Sequence, residues 1–98
     1  MDNCIFCRIV EGAIPAKIVH QDDRVVAFED VNAQAPVHIL VIPKRHVAAV
    51  QDCQDGDQAL LGHLLLTYAK VAAMKNLTEC GYRIVTNTGA DSGQSVFH

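Results

Sequence analysis

Pro36-Val37-His38-Ile39-Leu40-Val41-Ile42-Pro43 is the stretch on which the fold turns. After its leading imidazole, His38 to Ile42 is continuously apolar, and it is bracketed by two prolines, which cannot donate to a β-ladder and so mark strand ends. Such a run suits a strand buried on both faces, so His38–Ile42 is predicted to be the centre of a sheet. Upstream, Ala16–Gln21 and Arg24–Phe28 are rich in β-branched residues. The intervening Asp22-Asp23 predicts a tight hairpin between antiparallel strands. Downstream, Tyr82–Asn87 reads as a fourth strand and Ser95–His98 as the start of a fifth.

Helical spacing occurs in two places. Ile5, Phe6, Ile9 and Val10 recur at such spacing between Cys4 and Glu11, and Gly12 follows as a stop. Between Asp57 and Asn76, Leu60, Leu61, Leu64, Leu65, Tyr68, Val71 and Ala72 mark one stripe of a long helix, with Asp55 or Asp57 available as N-cap. Gly62 within it costs about 1 kcal/mol against Ala, and its missing side chain leaves room for another backbone to approach. The predicted class is α+β: an antiparallel sheet of about five strands with helices on one side.

Composition bounds the function. The chain has 98 residues, half of them apolar, with three Phe, two Tyr and no Trp, so one core built mainly of aliphatic side chains is expected. A net charge of −3 argues against nonspecific nucleic-acid binding, which needs clustered Lys and Arg. The most apolar stretch, Ala59–Ala73, is interrupted by Gly62, His63, Thr67, Tyr68 and Lys70, which argues against a membrane span. Met1-Asp2-Asn3-Cys4 lacks the basic start and apolar core of a signal peptide, so a cytoplasmic protein is expected. The cysteines are then expected to be metal ligands or free thiols, with Cys53 and Cys80 ordinary thiols.

Three constellations carry candidate chemistry. Cys4, Cys7, His46 and His98 form a Cys2His2 set suited to tetrahedral zinc. The spacing alone is as compatible with a free dithiol and unrelated histidines. Asn87-Thr88-Gly89-Ala90-Asp91-Ser92-Gly93-Gln94-Ser95 offers glycines and short polar donors to an anion, although by composition a plain hairpin loop is the simpler account. Phe28-Glu29-Asp30-Val31 offers a ring for a base and a carboxylate for ribose hydroxyls, while spacing alone favours a turn-capping carboxylate. His38 opens the central run and belongs to a polar network near a site, whereas His20 and His63 read as surface or interface residues.

Taken in order, C-I-F-C-R-I, I-P-A-K-I-V, F-E-D-V-N-A-Q-A-P-V-H-I-L-V-I-P-K-R-H-V, L-L-G-H-L and G-Y-R-I-V-T-N-T-G-A-D-S-G-Q-S-V-F-H resemble the histidine-triad (HIT) family, especially its Hint-like branch. The resemblance implies an antiparallel sheet that continues across a homodimer, with the Asp57–Asn76 helices packed together. It implies binding of purine nucleotides and attack at the α-phosphate, commonly of nucleoside phosphoramidates such as adenosine 5′-monophosphoramidate. The family motif places three histidines at alternate strand positions, so that all three face the phosphate, and the middle one is the nucleophile.

Only the first of the three, His98, falls within these residues, so the resemblance implies a single HIT domain over 1–98, cut short in its last strand and catalytically inactive or nearly so. Position by position it assigns Phe6, Ile9, Ile14 and Phe28 to the base pocket, and Asp30 with the Val31 backbone to the ribose. Asn87, Gly93, Gln94 and Ser95 are assigned to the phosphate or leaving group, and His38 and His98 to the network beside the nucleophile. It also makes structural zinc on Cys4, Cys7, His46 and His98 the favoured reading of that set.

Overall fold

The hairpin is built around one carboxylate. β1 (Ile18–Gln21) and β2 (Val25–Glu29) run antiparallel, with Ile18 opposite Phe28 and Gln21 opposite Val26. Asp22 turns the chain: its Oδ1 accepts the N–H groups of Arg24 (2.8 Å) and Val25 (3.0 Å), and its own N–H donates to the Val25 carbonyl. That side-chain turn explains why no glycine is needed, and it extends the expected two-residue connection through Arg24. β3 (Ile39–Pro43) pairs antiparallel with the other edge of β2, Val25 opposite Pro43 and Glu29 opposite Ile39.

The computed structural model describes residues 4–92 and 94. Among them the sheet has three strands in the order β1-β2-β3, not about five. β2, rather than His38–Ile42, is its centre: Val25, Val26, Ala27 and Phe28 are buried, whereas of β3 only Ile42 is. An apolar run reports burial and not position, and the hairpin places β2 between two neighbours. Among the described residues Tyr82–Asn87 forms no strand. A strand exists by its ladder, none pairs with this segment among the described residues, and Tyr82, Ile84 and Val85 are exposed. The expected strand start at Ser95–His98 lies outside the described residues.

α1 (Ile5–Val10) ends at Gly12, whose φ of +80° is the left-handed conformation that glycine adopts without strain. Its Phe6, Ile9 and Val10 pack with Ala16 and Leu40 against the core cluster of Val26, Phe28 and Ile42. Two 3-10 turns, Val50–Asp52 and Asp55–Asp57, lead into α2 (Gln58–Met74), which lies against β3. Asp57 is the N-cap residue, but its carboxylate is spent on the preceding turn, accepting from the Gln54 N–H, and on Arg45.

The buried positions of α2 are Thr67, Val71 and Ala72, while Leu65, expected on the inward stripe, is 58% exposed beside Leu66 at 66%. No backbone approaches Gly62, where an added Cβ meets nothing within 4 Å, so the expected close approach is absent among the described residues. α2 ends at Asn76, in left-handed conformation at φ 61°, with Leu77 N–H returning to the Ala72 carbonyl. Among the described residues no helix is long and apolar enough to cross a membrane.

Candidate functional site

The start of α1 collects sulfur. Cys4 is the N-cap, in extended conformation, and its Sγ accepts the Cys7 N–H at 3.3 Å, as a Ser or Asp cap would with oxygen. The two-residue spacing therefore turns both thiols to the same end of the helix. His46, three residues past the end of β3, brings Nδ1 to 3.1 Å from Cys7 Sγ, although the two lie 39 residues apart in sequence. Cys4 Sγ, Cys7 Sγ and a His46 ring nitrogen all lie within 4.8 Å of one another. Two donors on a tetrahedral zinc are roughly 3.5 Å apart, so the donor types and spacings fit such an ion. Burial, the Cys4 hydrogen bond and the Cys4 charge push the Cys7 thiol up, the direction that a bound cation reverses. His98, the fourth expected ligand, lies outside the described residues.

A second group forms where β2 ends. The edge of Phe6 meets Phe28, with ring centroids 5.7 Å apart and planes at 72°. Phe28 is a core residue at 4% exposure, while Phe6, Ile9 and Ile14 are half-buried around α1 and the segment after it. Two residues beyond Phe28, Asp30 Oδ1 accepts the Asn32 N–H at 2.9 Å, the turn-capping role expected from spacing, while Oδ2 faces His38 Nε2 at 3.3 Å. His38 Nδ1 in turn accepts the Gln34 N–H at 2.9 Å, so the proton of a neutral ring sits on Nε2, toward the carboxylate. Asp30 N–H donates to the His38 carbonyl at 3.0 Å, closing the intervening loop at its base. His38 therefore does belong to a polar network, whose described members are Asp30 and Gln34. Val31 stands 94% exposed at the tip.

The glycine loop is the third group. Gly89, at φ +84°, is its hub: the Ser92 N–H and hydroxyl and the Gln94 N–H all donate to its carbonyl, around a 3-10 turn over Ala90–Ser92. The Gly89 N–H donates to Gln94 Oε1 at 2.6 Å, and Gln94 Nε2 donates to the Ala48 carbonyl at 2.6 Å. Asn87 is exposed, and Gly93 and Ser95 lie outside the described residues. The expected residues thus fall into three clusters, the metal donors, the Phe28–Asp30 strand end and the Gly89 loop.

Two of the contacts that were not foreseen join segments far apart in sequence. His63 Nε2 lies 2.7 Å from Asp22 Oδ2 and ties α2 to the hairpin, and Gln94 ties the loop to Ala48. Partners 41 and 46 residues apart leave no local pattern in a sequence.

A sheet carrying a thiol–imidazole donor cluster beside one helical turn, with a strand-end carboxylate and a glycine loop, defines a small α+β domain. Known proteins share its sequence and its shape. The family model described as the HIT domain matches residues 11–98. An uncharacterized HIT-like protein of Synechococcus elongatus is 54% identical over 97 residues, spanning 99% of this chain and 84% of that protein. Among solved structures, a HIT family hydrolase from Legionella pneumophila Philadelphia 1 superposes with a TM-score of 0.96 at 45% identity, covering 98% of this chain and 86% of that one. One from Clostridium thermocellum gives 0.97 at 41% identity, covering 100% and 85%. The chain belongs to the HIT family.

Proposed function

We propose that residues 1–98 form a single HIT domain holding the purine-nucleotide site of a hydrolase or nucleotidyl transferase that acts at the α-phosphate, with nucleoside phosphoramidates as its substrate class. The observation that carries this reading is the strand end at Phe28–Asp30, where an aromatic core residue is followed by a carboxylate fixed between the Asn32 N–H and the His38 ring. A carboxylate held in one rotamer accepts ribose hydroxyls without first losing its own freedom. Phe6, Ile9 and Ile14 supply apolar surface for the base, and Asn87 with the loop through Gly93, Gln94 and Ser95 receives the phosphate. The family relation to proteins described as hydrolases supports the reaction class.

In this reading a histidine attacks phosphorus, forms a P–N bond and expels the amine, and water then breaks that bond to release the nucleotide. In this reading the pocket residues named above bind and orient the nucleotide, with His38 and His98 beside the reacting centre. A homodimer joined through α2 fits the exposed Leu65, Leu66 and Met74, and the proposed location is the cytoplasm. AMP titrated into the purified chain by calorimetry is expected to bind saturably at one site per chain. Asp30→Ala is expected to weaken it by about tenfold or more, the loss of a charge-assisted hydrogen bond. Absence of saturable binding, or an unchanged Asp30→Ala affinity, contradicts the reading.

A second reading, a zinc-stabilised scaffold module, rests on the Cys4, Cys7 and His46 cluster. Here His98 is the proposed fourth ligand. Zinc supplies a structural cross-link at such a site, and the chain's own residues do the holding: Cys4 and Cys7 from α1, His46 from the segment after β3.

A further inference from the structure

We propose that Gln94 is a positioning residue that couples the metal cluster to the Gly89 loop, so that metal occupancy sets how well the loop receives a phosphate. The inference rests on the nucleotide and metal readings above and adds a connection between them. Its basis is one side chain with both ends committed. Gln94 Oε1 accepts the Gly89 N–H and Nε2 donates to the Ala48 carbonyl, each at 2.6 Å. Ala48 lies two residues beyond His46, whose Nδ1 is 3.1 Å from Cys7 Sγ.

The path from thiol to loop is therefore short and continuous: Cys7, His46, the backbone to Ala48, Gln94, then Gly89. Among the described residues, 44–49 lie in no strand; Lys44 N–H donates to the Arg24 carbonyl and Arg45 pairs with Asp57, and from His46 the backbone leads directly to the Ala48 carbonyl. An ion on Cys4, Cys7 and His46 would join the three side chains through shared coordination bonds. That holds the carbonyl in place for Gln94 and, through it, the Gly89 amide. The loop backbone proposed to receive the phosphate is then already ordered when the ligand arrives. By linkage, a nucleotide tightens metal binding by the same factor that the metal tightens nucleotide binding.

The test follows amide hydrogen exchange at Gly89, with AMP affinity as a second readout, in the full chain with and without one equivalent of zinc. In the unaltered protein zinc is expected to slow Gly89 exchange and to raise AMP affinity about fivefold or more. Gln94→Glu keeps an acceptor for the Gly89 N–H but cannot donate to the Ala48 carbonyl. It is expected to bind zinc with unchanged stoichiometry while Gly89 exchange no longer responds to it, and Gln94→Ala should behave alike with faster exchange throughout.

If zinc leaves Gly89 exchange unchanged in the unaltered protein, or slows it equally in Gln94→Glu, the coupling is overturned. If zinc does not bind, the metal reading and the coupling fall together. If Gly89 responds to zinc through Gln94 but AMP binds neither form, the link from metal to loop stands and its effect on phosphate falls with the nucleotide reading.

Discussion

Among the described residues of the hairpin, Asp22 makes the most side-chain hydrogen bonds. Its oxygens accept from the Arg24 and Val25 backbone and from His63, with His20 Nε2 3.9 Å away. The Arg24 hydrogen bond above all, then His63 and Val25, hold the carboxyl well below its ordinary range, against the opposing effect of burial. A depressed carboxyl stabilises the fold fully above its unfolded value near 3.8, and that contribution is lost as pH falls through the lower native value. Acid unfolding followed by circular dichroism should therefore show a loss of stability below about pH 4 that is smaller in Asp22→Asn. Asp22→Ala should cost about 2 kcal/mol in urea unfolding at neutral pH, since it leaves two backbone donors and an imidazole without their acceptor. The turn role of Asp22 was legible from its place between two β-branched runs. Its tie to His63 was not, because nothing local distinguishes a helical histidine that faces solvent from one that meets a hairpin.

At the scale of elements, the two helices test the two proposed assemblies. The Cys4→Ser, Cys7→Ser double variant keeps a capable N-cap at α1 but removes both sulfurs, so metal analysis under reducing conditions should fall from one zinc per chain to none. Zinc retained in that variant sinks the ligand assignment. On α2, Leu65 and Leu66 are exposed at mid-helix. Leu65→Glu with Leu66→Glu should shift the chain from dimer to monomer in sedimentation while leaving far-ultraviolet dichroism unchanged, because neither residue supports the core.

Element types were readable where an apolar period was long: the 17 residues of α2 fall within the stretch read as helical, and β1, β2 and β3 fall close to their expected positions. Burial was less readable. Leu65 has the hydropathy of a core residue, and only the direction in which α2 lies on β3 shows it pointing away. Tyr82–Asn87 has the residues of a strand, but a strand also needs a neighbour, which a local pattern does not supply.

For the whole molecule, the sheet holds together segments that are distant in sequence. β2 lies between β1 and β3, α1 packs on Phe28 and Ile42, and the chain past β3 returns to the thiols of α1 through His46. The HIT family was legible from ordered motifs spread along the chain, and the comparisons with known proteins bear that out. The candidate site was legible as residue types but not as connections, since the Asp30–His38 and Gln94–Ala48 contacts depend on how the loops close.

In the proposed function the end of β2 and the Gly89 loop together hold a purine nucleotide. Backbone amide chemical-shift mapping of the zinc-loaded chain against AMP tests it most directly. The shifts should be saturable and concentrate in residues 28–31 and 87–94, with the hairpin around Asp22 unmoved. Saturable shifts confined to other surfaces, or none at millimolar AMP, contradict it.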